Sequence, residues 1–306
     1  MKSHMPVVIG LGLIAACSSS CVHRGASTLY YGTFSPREIL HVPVTGGEPT
    51  VISKGTVKRA LAFDPCAERL IVGNWSNIHR REFDGTYVDN LATDARMGHM
   101  AVDLKNRHIF WTVYASAGKG EIQRCDLDDG ANRTTVRKIS SSGSDIAVDP
   151  KRGKLYWTRS ALWQAELDGS NAKQIGPGLV YLVDVDVKGK RLFFFRSESR
   201  SRGIWTSELD GSNAQMIAPI SPEMNNVRDL AVDSRAKKVY WATDERGKQP
   251  KIWRCSLDGS ELELVVALGD KGHSVRAITL GYAPKEKGLR RGFAKLFGNC
   301  LQAQGQ

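Results

Sequence analysis

The residues of this chain that could do chemistry are charged side chains placed just before, or inside, short apolar segments. They comprise three arginines, three aspartates and one histidine: Arg59, His99, Asp145, Asp184, Arg228, Asp229 and Arg276. Aspartates and a histidine would bind a cation if the fold brought them together, whereas arginines would bind an anion. The three arginines hold equivalent places before their segments, so the pattern favours an anionic ligand over a cation.

Sequence signatures of common enzymes are missing. The chain contains no Gly-x-Ser-x-Gly, Gly-x-x-x-x-Gly-Lys, His-Glu-x-x-His or Cys-x-x-Cys motif. Its seven histidines are scattered without the spacing of metal ligands, so a metal site would have to be assembled from distant parts of the chain. We therefore assign no catalytic residue, no metal and no cofactor from the sequence.

The N-terminal residues indicate export. Residues 1–16 are typical of a signal peptide, because Lys2 precedes the apolar run 6–16, which is too short to span a bilayer. The motif Ile-Ala-Ala-Cys at 14–17 is similar to the lipobox of bacterial lipoproteins. This resemblance implies lipidation of Cys17 and a short tether over 17–28. The alternative is cleavage after Ala16, which would release a soluble secreted protein.

The composition is that of a globular domain with a basic surface. Of the 306 residues, 41% are hydrophobic and 25% are charged, and the formal net charge is +11. A basic exported protein meets lipid headgroups, envelope polymers and acidic proteins, so we expect no nucleic-acid partner. The six cysteines do not indicate a dense disulfide framework. Cys125 and Cys255 occupy equivalent places, and the pairing of Cys21, Cys66 and Cys300 stays open.

The charged residues are positioned by a repeat that runs along almost the entire chain. Leu-Asp-Gly occurs at 167–169, 209–211 and 257–259, with weaker copies elsewhere. The glycines of the six copies lie 38 to 48 residues apart, at positions 47, 85, 130, 169, 211 and 259. Such a period is typical of repeat folds in which each copy is one supersecondary unit.

Each copy predicts four short strands. The first has a central alanine and ends in Asp, the second carries aromatic residues, the third ends at Asp-Gly, and the fourth is β-branched. Asp followed by Pro suits a type I turn, and Asp-Gly supplies the positive φ of a tight hairpin. Four-stranded units of this length predict an all-β, six-bladed β-propeller. The sixth copy of the first strand, near Ile278, is not followed by the other three strands of its unit. Residues 29–52 supply a second, third and fourth strand, so they are predicted to complete this blade and close the ring.

Two copies resemble the low-density lipoprotein receptor class B repeat, the YWTD propeller. They are DIAVDPKRGKLYWTRSALWQAELDGSNAKQI at 145–175 and DLAVDSRAKKVYWATDERGKQPKIWRCSLDGSELELV at 229–265. The resemblance covers residues 29–283 and implies the propeller fold. The final Asp of the tetrapeptide is replaced, for example by Arg159 and Thr243. The receptor role of the animal proteins does not carry over, because no flanking receptor module accompanies the repeat.

These features predict an exported, lipid-anchored propeller that binds a protein or an anionic ligand through one face. Two alternatives stay open: a metal-dependent hydrolase similar to the six-bladed lactonases, and an envelope-assembly scaffold. Contact with the membrane is expected through lipidated Cys17. The basic tail, residues 284–306, either joins that contact or docks on the propeller, because Leu289, Phe293 and Leu296 give it an apolar helical face.

Overall fold

The fold is all-β, as the repeat predicts. A computed structural model describes residues 27–55, 59–114, 119–139, 145–198, 201–221, 226–244, 249–268 and 274–282. In these ranges the chain forms six four-stranded antiparallel sheets. The predicted signal peptide, Cys17 and the tail 284–306 lie outside the described residues. No helix long and apolar enough to cross a membrane occurs in the ranges given above.

The sheets are the six blades, each followed by the next along the chain. Blade 1 comprises β4 (Ala60–Asp64), β5 (Arg69–Gly73), β6 (Ile78–Arg81) and β7 (Tyr87–Ala92). Blade 2 comprises β8 (Met97–Asp103), β9 (His108–Tyr114), β10 (Gly120–Asp126) and β11 (Thr134–Ile139). Blade 3 comprises β12 (Ile146–Asp149), β13 (Lys154–Thr158), β14 (Ala161–Glu166) and β15 (Lys173–Gly178). Blade 4 comprises β16 (Val180–Asp186), β17 (Arg191–Arg196), β18 (Gly203–Glu208) and β19 (Gln215–Pro219). Blade 5 comprises β20 (Val227–Asp233), β21 (Lys238–Thr243), β22 (Lys251–Ser256) and β23 (Glu263–Ala267). Blade 6 comprises β24 (Val275–Gly281) followed by the N-terminal strands β1 (Thr28–Thr33), β2 (Glu38–Pro43) and β3 (Thr50–Lys54).

The ring is closed by the two ends of the repeat region. Strand β24 pairs antiparallel with β1, with Tyr31 opposite Ile278 and Leu29 opposite Leu280. The predicted closure is therefore confirmed, and the strand begins at Thr28, inside the segment assigned to the tether. Closure stabilises the domain because it removes two open sheet edges.

The core lies between neighbouring blades rather than inside one sheet. The second strand of each blade is apolar on both faces, and adjacent residues on it enter different clusters. Trp111 belongs to a buried cluster with Ile71 of blade 1, whereas Phe110 belongs to one with Trp157 of blade 3. Burial on both sides explains why these strands read as continuous hydrophobic runs without alternation.

The Asp-Gly turns lock each blade against the one before it. Gly211 has a φ of +85°, and a β-carbon built there would lie 1.6 Å from the carbonyl oxygen of Ile175 in the preceding blade. Only glycine allows this approach, because it tolerates positive φ and carries no side chain. The carboxylate of Asp210 accepts a 2.9 Å hydrogen bond from the Ser212 amide and so fixes the turn.

The aspartates that end the first strands hold the following turns. Asp149 Oδ1 accepts hydrogen bonds from the amides of Lys151 and Arg152, at 3.0 and 3.1 Å. This is the turn chemistry that the Asp-Pro sequence predicts.

The cysteines in the described ranges are two buried thiols and one bonded residue. Burial raises the pKa of the Cys125 thiol to about 12 and that of Cys255 to about 11, so both are unreactive at neutral pH. Cys66 is disulfide-bonded.

Candidate functional site at the channel mouth

The first strand of each blade lines the central channel. At four of the six copies the central residue is alanine, and these alanines line a narrow cavity of about 180 Å³, here called the throat: Ala62, Ala101, Ala147 and Ala231. Four polar residues predicted from the sequence also line the throat: His99, Asp145, Asp184 and Asp229. The small side chains leave room at the axis, so these polar groups share one confined space.

A wider pocket of about 600 Å³ lies at one mouth of the channel and is here called the arginine pocket. Its polar lining includes the remaining predicted residues, Arg59, Arg228 and Arg276, together with His99. The three arginines therefore converge on one face, as their equivalent places in the repeat predict. Because His99 lines both cavities, it stands at the boundary between the arginine pocket and the throat.

Aromatic rings hold two of the arginines in place. The Arg59 guanidinium lies over Trp75, 4.4 Å from the ring centroid, and 5.1 Å from that of Tyr114. These two rings stack on each other with centroids 5.5 Å apart. Arg276 lies over Phe34 at 5.0 Å. Trp75 and Phe34 are 48% and 43% exposed, so the rings also present apolar surface to a ligand.

The arginines differ in how their charge is balanced. Arg228 pairs with Asp244 at 3.2 Å, and Asp244 also accepts a 2.7 Å hydrogen bond from Ser274. Within the described part of the chain, Arg59 and Arg276 form no ion pair. The pKa of Arg276 is lowered by burial, and the positive charges of Arg228 and Arg59 lower it further. Among the residues that the structure describes, the pocket therefore has an excess of positive charge that favours an anion.

The throat has the opposite character. His99 Nδ1 lies 3.2 Å from Asp145 Oδ1, and one ligand atom each from His99, Asp145 and Asp229 lie within 4.8 Å of one another. His99, Asp145 and Asp229 occupy equivalent positions, each immediately before the Met-Ala-Val-Asp, Ile-Ala-Val-Asp or Leu-Ala-Val-Asp segment of its first strand. Asp184 lies two residues further along β16, at the position that alanine occupies in those three strands. The predicted residues thus form an outer level of arginines and inner levels of carboxylates and imidazole.

The throat carboxylates also join neighbouring blades. Asp145 Oδ2 accepts a 2.9 Å hydrogen bond from the Val183 amide, and Asp229 Oδ2 accepts one of 2.8 Å from Ile278, in each case from the next blade. Asp184 Oδ2 accepts a 2.7 Å bond from Val232. Backbone amides fix the direction of these carboxylates, which gives them a structural role as well as a chemical one.

Burial changes the protonation of these groups. It raises the pKa of Asp184 to about 7, and nearby negative charge adds to the effect. Burial and the charge of Asp145 likewise raise the pKa of Asp229. For His99, burial lowers the pKa, but the charge and hydrogen bond of Asp145 outweigh burial and raise it overall. Cation-binding and proton-holding groups are thus concentrated in the throat.

The aromatic part of the site was not predicted from the sequence. Phe34, Trp75 and Tyr114 lie just after, or at the end of, second strands of their blades. Since first and second strands are antiparallel, the end of a second strand lies at the same face as the start of a first strand. The antiparallel pairing of first and second strands could therefore have predicted these aromatic residues from the sequence. The same pairing brings Asp244, just after a second strand, to Arg228.

Comparison with known proteins shows the fold. No protein-family model matches the chain. A nidogen/laminin complex is similar with a TM-score of 0.67 and 18% identity over 84% of this chain and 98% of that one. TolB from Acinetobacter baumannii is similar with a TM-score of 0.70 and 14% identity, over 84% of this chain and 67% of TolB. An oligogalacturonate lyase in complex with manganese is similar with a TM-score of 0.54 and 10% identity, over 80% of this chain and 79% of the lyase. At these identities the likeness establishes a six-bladed β-propeller and leaves its function to the site.

Proposed function

We propose that this protein is an exported, lipid-anchored binding propeller that takes an acidic segment of a partner protein in the arginine pocket. The observation that carries the proposal is the convergence of Arg59, Arg228 and Arg276 on one pocket of about 600 Å³. Arg59 and Arg276 have no carboxylate partner in the described ranges, so their charge is available to a ligand.

The surroundings of the arginines favour a protein partner over a small inorganic anion. Arginine, tryptophan and tyrosine are the residues that contribute most to protein–protein binding energy. Here Arg59 lies against Trp75 and Tyr114, and the exposed ring of Tyr181 occupies, in blade 4, the register that Arg228 occupies in blade 5. A partner would insert carboxylates between the arginines and cover the rings with apolar groups. The similar nidogen structure is itself a complex of two proteins.

Two features support the export part of the proposal. The lipobox-like residues 14–17 predict acylation of Cys17. The disulfide of Cys66 suits an oxidising compartment outside the cytoplasm. If the anchor is Cys17, then metabolic labelling with palmitate should modify the wild-type protein, and Cys17→Ser should lose the label and move from the membrane fraction to the soluble fraction. A label retained by Cys17→Ser would contradict the anchor.

The binding proposal is tested with a fluorescent glutamate-rich peptide, followed by anisotropy at low and high salt. We expect Arg59→Ala/Arg276→Ala to weaken binding at least tenfold and to reduce its salt dependence, because two unscreened charges are removed. The matched control is Lys105→Ala/Arg235→Ala, which removes the same charge from turns that follow first strands, at the opposite end of the channel. Equal loss in both double variants would show that binding follows net charge alone and would exclude the pocket.

A further inference from the structure

The throat contains a set of groups that anion binding in the arginine pocket does not use. His99, Asp145 and Asp229 come from blades 2, 3 and 5, and no sequence motif connects them. Their ligand atoms nevertheless lie within 4.8 Å of one another on the wall of a cavity of about 180 Å³. An ion among three such atoms reaches bond lengths of about 2.1 Å if each side chain moves by less than about 1 Å.

Backbone amides fix the orientation of the two carboxylates, Asp145 and Asp229. Asp229 accepts the Leu230 amide on Oδ1 at 2.9 Å and the Ile278 amide on Oδ2 at 2.8 Å. Asp145 is held in the same way by Ile146 and Val183. Each carboxylate oxygen has a second lone pair, so these bonds leave acceptor capacity towards the axis. Backbone donors that orient a ligating carboxylate are typical of the surroundings of metal sites.

The histidine completes a mixed donor set. One imidazole nitrogen and two carboxylate oxygens suit Zn²⁺ and neighbouring transition metals better than Mg²⁺ or Ca²⁺, which prefer oxygen ligands alone. Three protein ligands leave one position of a tetrahedral ion free, and His99 lines both cavities, so the ion would lie close to the arginine pocket.

The charge around the throat also favours a cation. Asp145, Asp184 and Asp229 supply three carboxylates to one narrow cavity. The opposing positive charges, Arg59, Arg228 and Arg276, belong to the outer level of the channel, and Arg228 is already paired with Asp244 at 3.2 Å. A divalent ion in the throat would lie closer to the carboxylates than the arginines do, so it would reduce the repulsion among the carboxylates more effectively.

We infer that the throat is a binding site for one divalent transition-metal ion of the Zn²⁺ class, held by His99, Asp145 and Asp229. The site is separate from the acidic-peptide site proposed above and does not depend on it.

The test uses the full chain, freed of metal with a chelator that is then removed, and Zn²⁺ as the probe. Competition with a chromophoric zinc chelator at pH 7.5 should give one ion bound per chain, and His99→Gln should weaken that binding at least tenfold. The matched control is His108→Gln, because His108 has almost the same side-chain exposure, 23% against 22%, and a similar Asp126 neighbour at 3.5 Å. This variant should bind Zn²⁺ like the wild type.

A second measurement guards against a folding defect and separates the two proposals. Zn²⁺ should raise the thermal midpoint of the wild type and of His108→Gln by similar amounts, and that of His99→Gln by less at the same Zn²⁺ concentration. Arg59→Ala/Arg276→Ala should bind Zn²⁺ at least as tightly as the wild type, although it binds the acidic peptide less. Equal Zn²⁺ affinity in the wild type and His99→Gln would overturn the metal site. An X-ray absorption spectrum at the zinc edge that shows no imidazole ligand would overturn it as well.

Discussion

The Asp145 carboxylate crosses a blade boundary: its Oδ2 accepts a hydrogen bond from the backbone amide of Val183, 2.9 Å away in the next blade. Its Oδ1 accepts the Ile146 amide at 2.9 Å. The same side chain thus satisfies two buried backbone donors and faces the channel. Structural and chemical demands on the throat therefore fall on the same residues.

Loss of this carboxylate should destabilise the ring. Asp145→Ala leaves two buried amides without an acceptor, and we expect it to lower the free energy of unfolding by about 2 to 4 kcal/mol. Urea unfolding followed by tryptophan fluorescence measures the change. The control is Asp168→Ala, which removes an exposed turn carboxylate bonded to the Ser170 amide and should cost less than about 1 kcal/mol. Equal costs would show that the Val183 bond contributes nothing.

The approach of one blade to the next predicts a strong effect at Gly211. Gly211→Ala places a β-carbon 1.6 Å from the Ile175 carbonyl oxygen at a φ of +85°. We expect a loss of about 3 kcal/mol from steric strain and unfavourable backbone geometry. Gly153→Ala is the matched control, since Gly153 has a φ of +69° but no heavy atom within 4 Å of the added carbon. It should cost about 1 kcal/mol. Similar melting temperatures for both variants would contradict the interpretation.

Stability should fall as pH rises through neutrality. The folded pKa of Asp184, about 7, lies above its ordinary value of 3.8, so the folded state binds the proton more tightly. Its contribution is complete below about pH 4 and is lost as pH rises through 7. His99 and Asp229, whose pKa values are also raised, act in the same direction.

The variant Asp184→Asn isolates this effect. It loses part of the hydrogen bonding to Val232 and Val185 at every pH, but it cannot titrate. In metal-free buffer, the fall in unfolding free energy between pH 5 and pH 8 should be smaller than in the wild type by about 1.3 kcal/mol. Only the two pH units between 5 and the folded pKa of about 7 contribute, which gives about 2.7 kcal/mol at roughly 1.36 kcal/mol per unit, and solvent in the channel reduces this value by about half. Parallel curves for the two proteins would contradict a raised pKa.

Ring closure gives a prediction about the N-terminal strand. Removal of residues 1–26 keeps every described strand, so in reducing buffer, with Cys66 free in both proteins, the shortened chain should unfold cooperatively like the full one. Removal of residues 1–33 also deletes β1 and leaves β24 and β2 without their shared partner. We expect this shorter chain to aggregate, which light scattering during refolding measures. A soluble monomer with an unchanged melting temperature would show that closure is dispensable.

The repeat in the sequence was sufficient for the architecture. Asp-Gly turns at regular spacing, aromatic second strands and alanine-centred first strands predicted six blades, and the unpaired segments at 29–52 and near Ile278 predicted closure. These features are local or periodic, and each is tied to one turn type or one degree of burial. For the same reason the equivalent places of Arg59, Arg228 and Arg276 were enough to predict that they converge.

Only the tertiary structure decided which groups meet around the axis. The 3.2 Å approach of His99 to Asp145, the pairing of Arg228 with Asp244 and the stacking of Arg59 on Trp75 join residues through rotamers and blade packing, which the periodic pattern does not specify. Burial in the throat, and hence the pKa of Asp184, depends on all six blades at once. A repeat fixes the angle and level of each residue around the ring, but distances across the channel depend on how closely the blades pack.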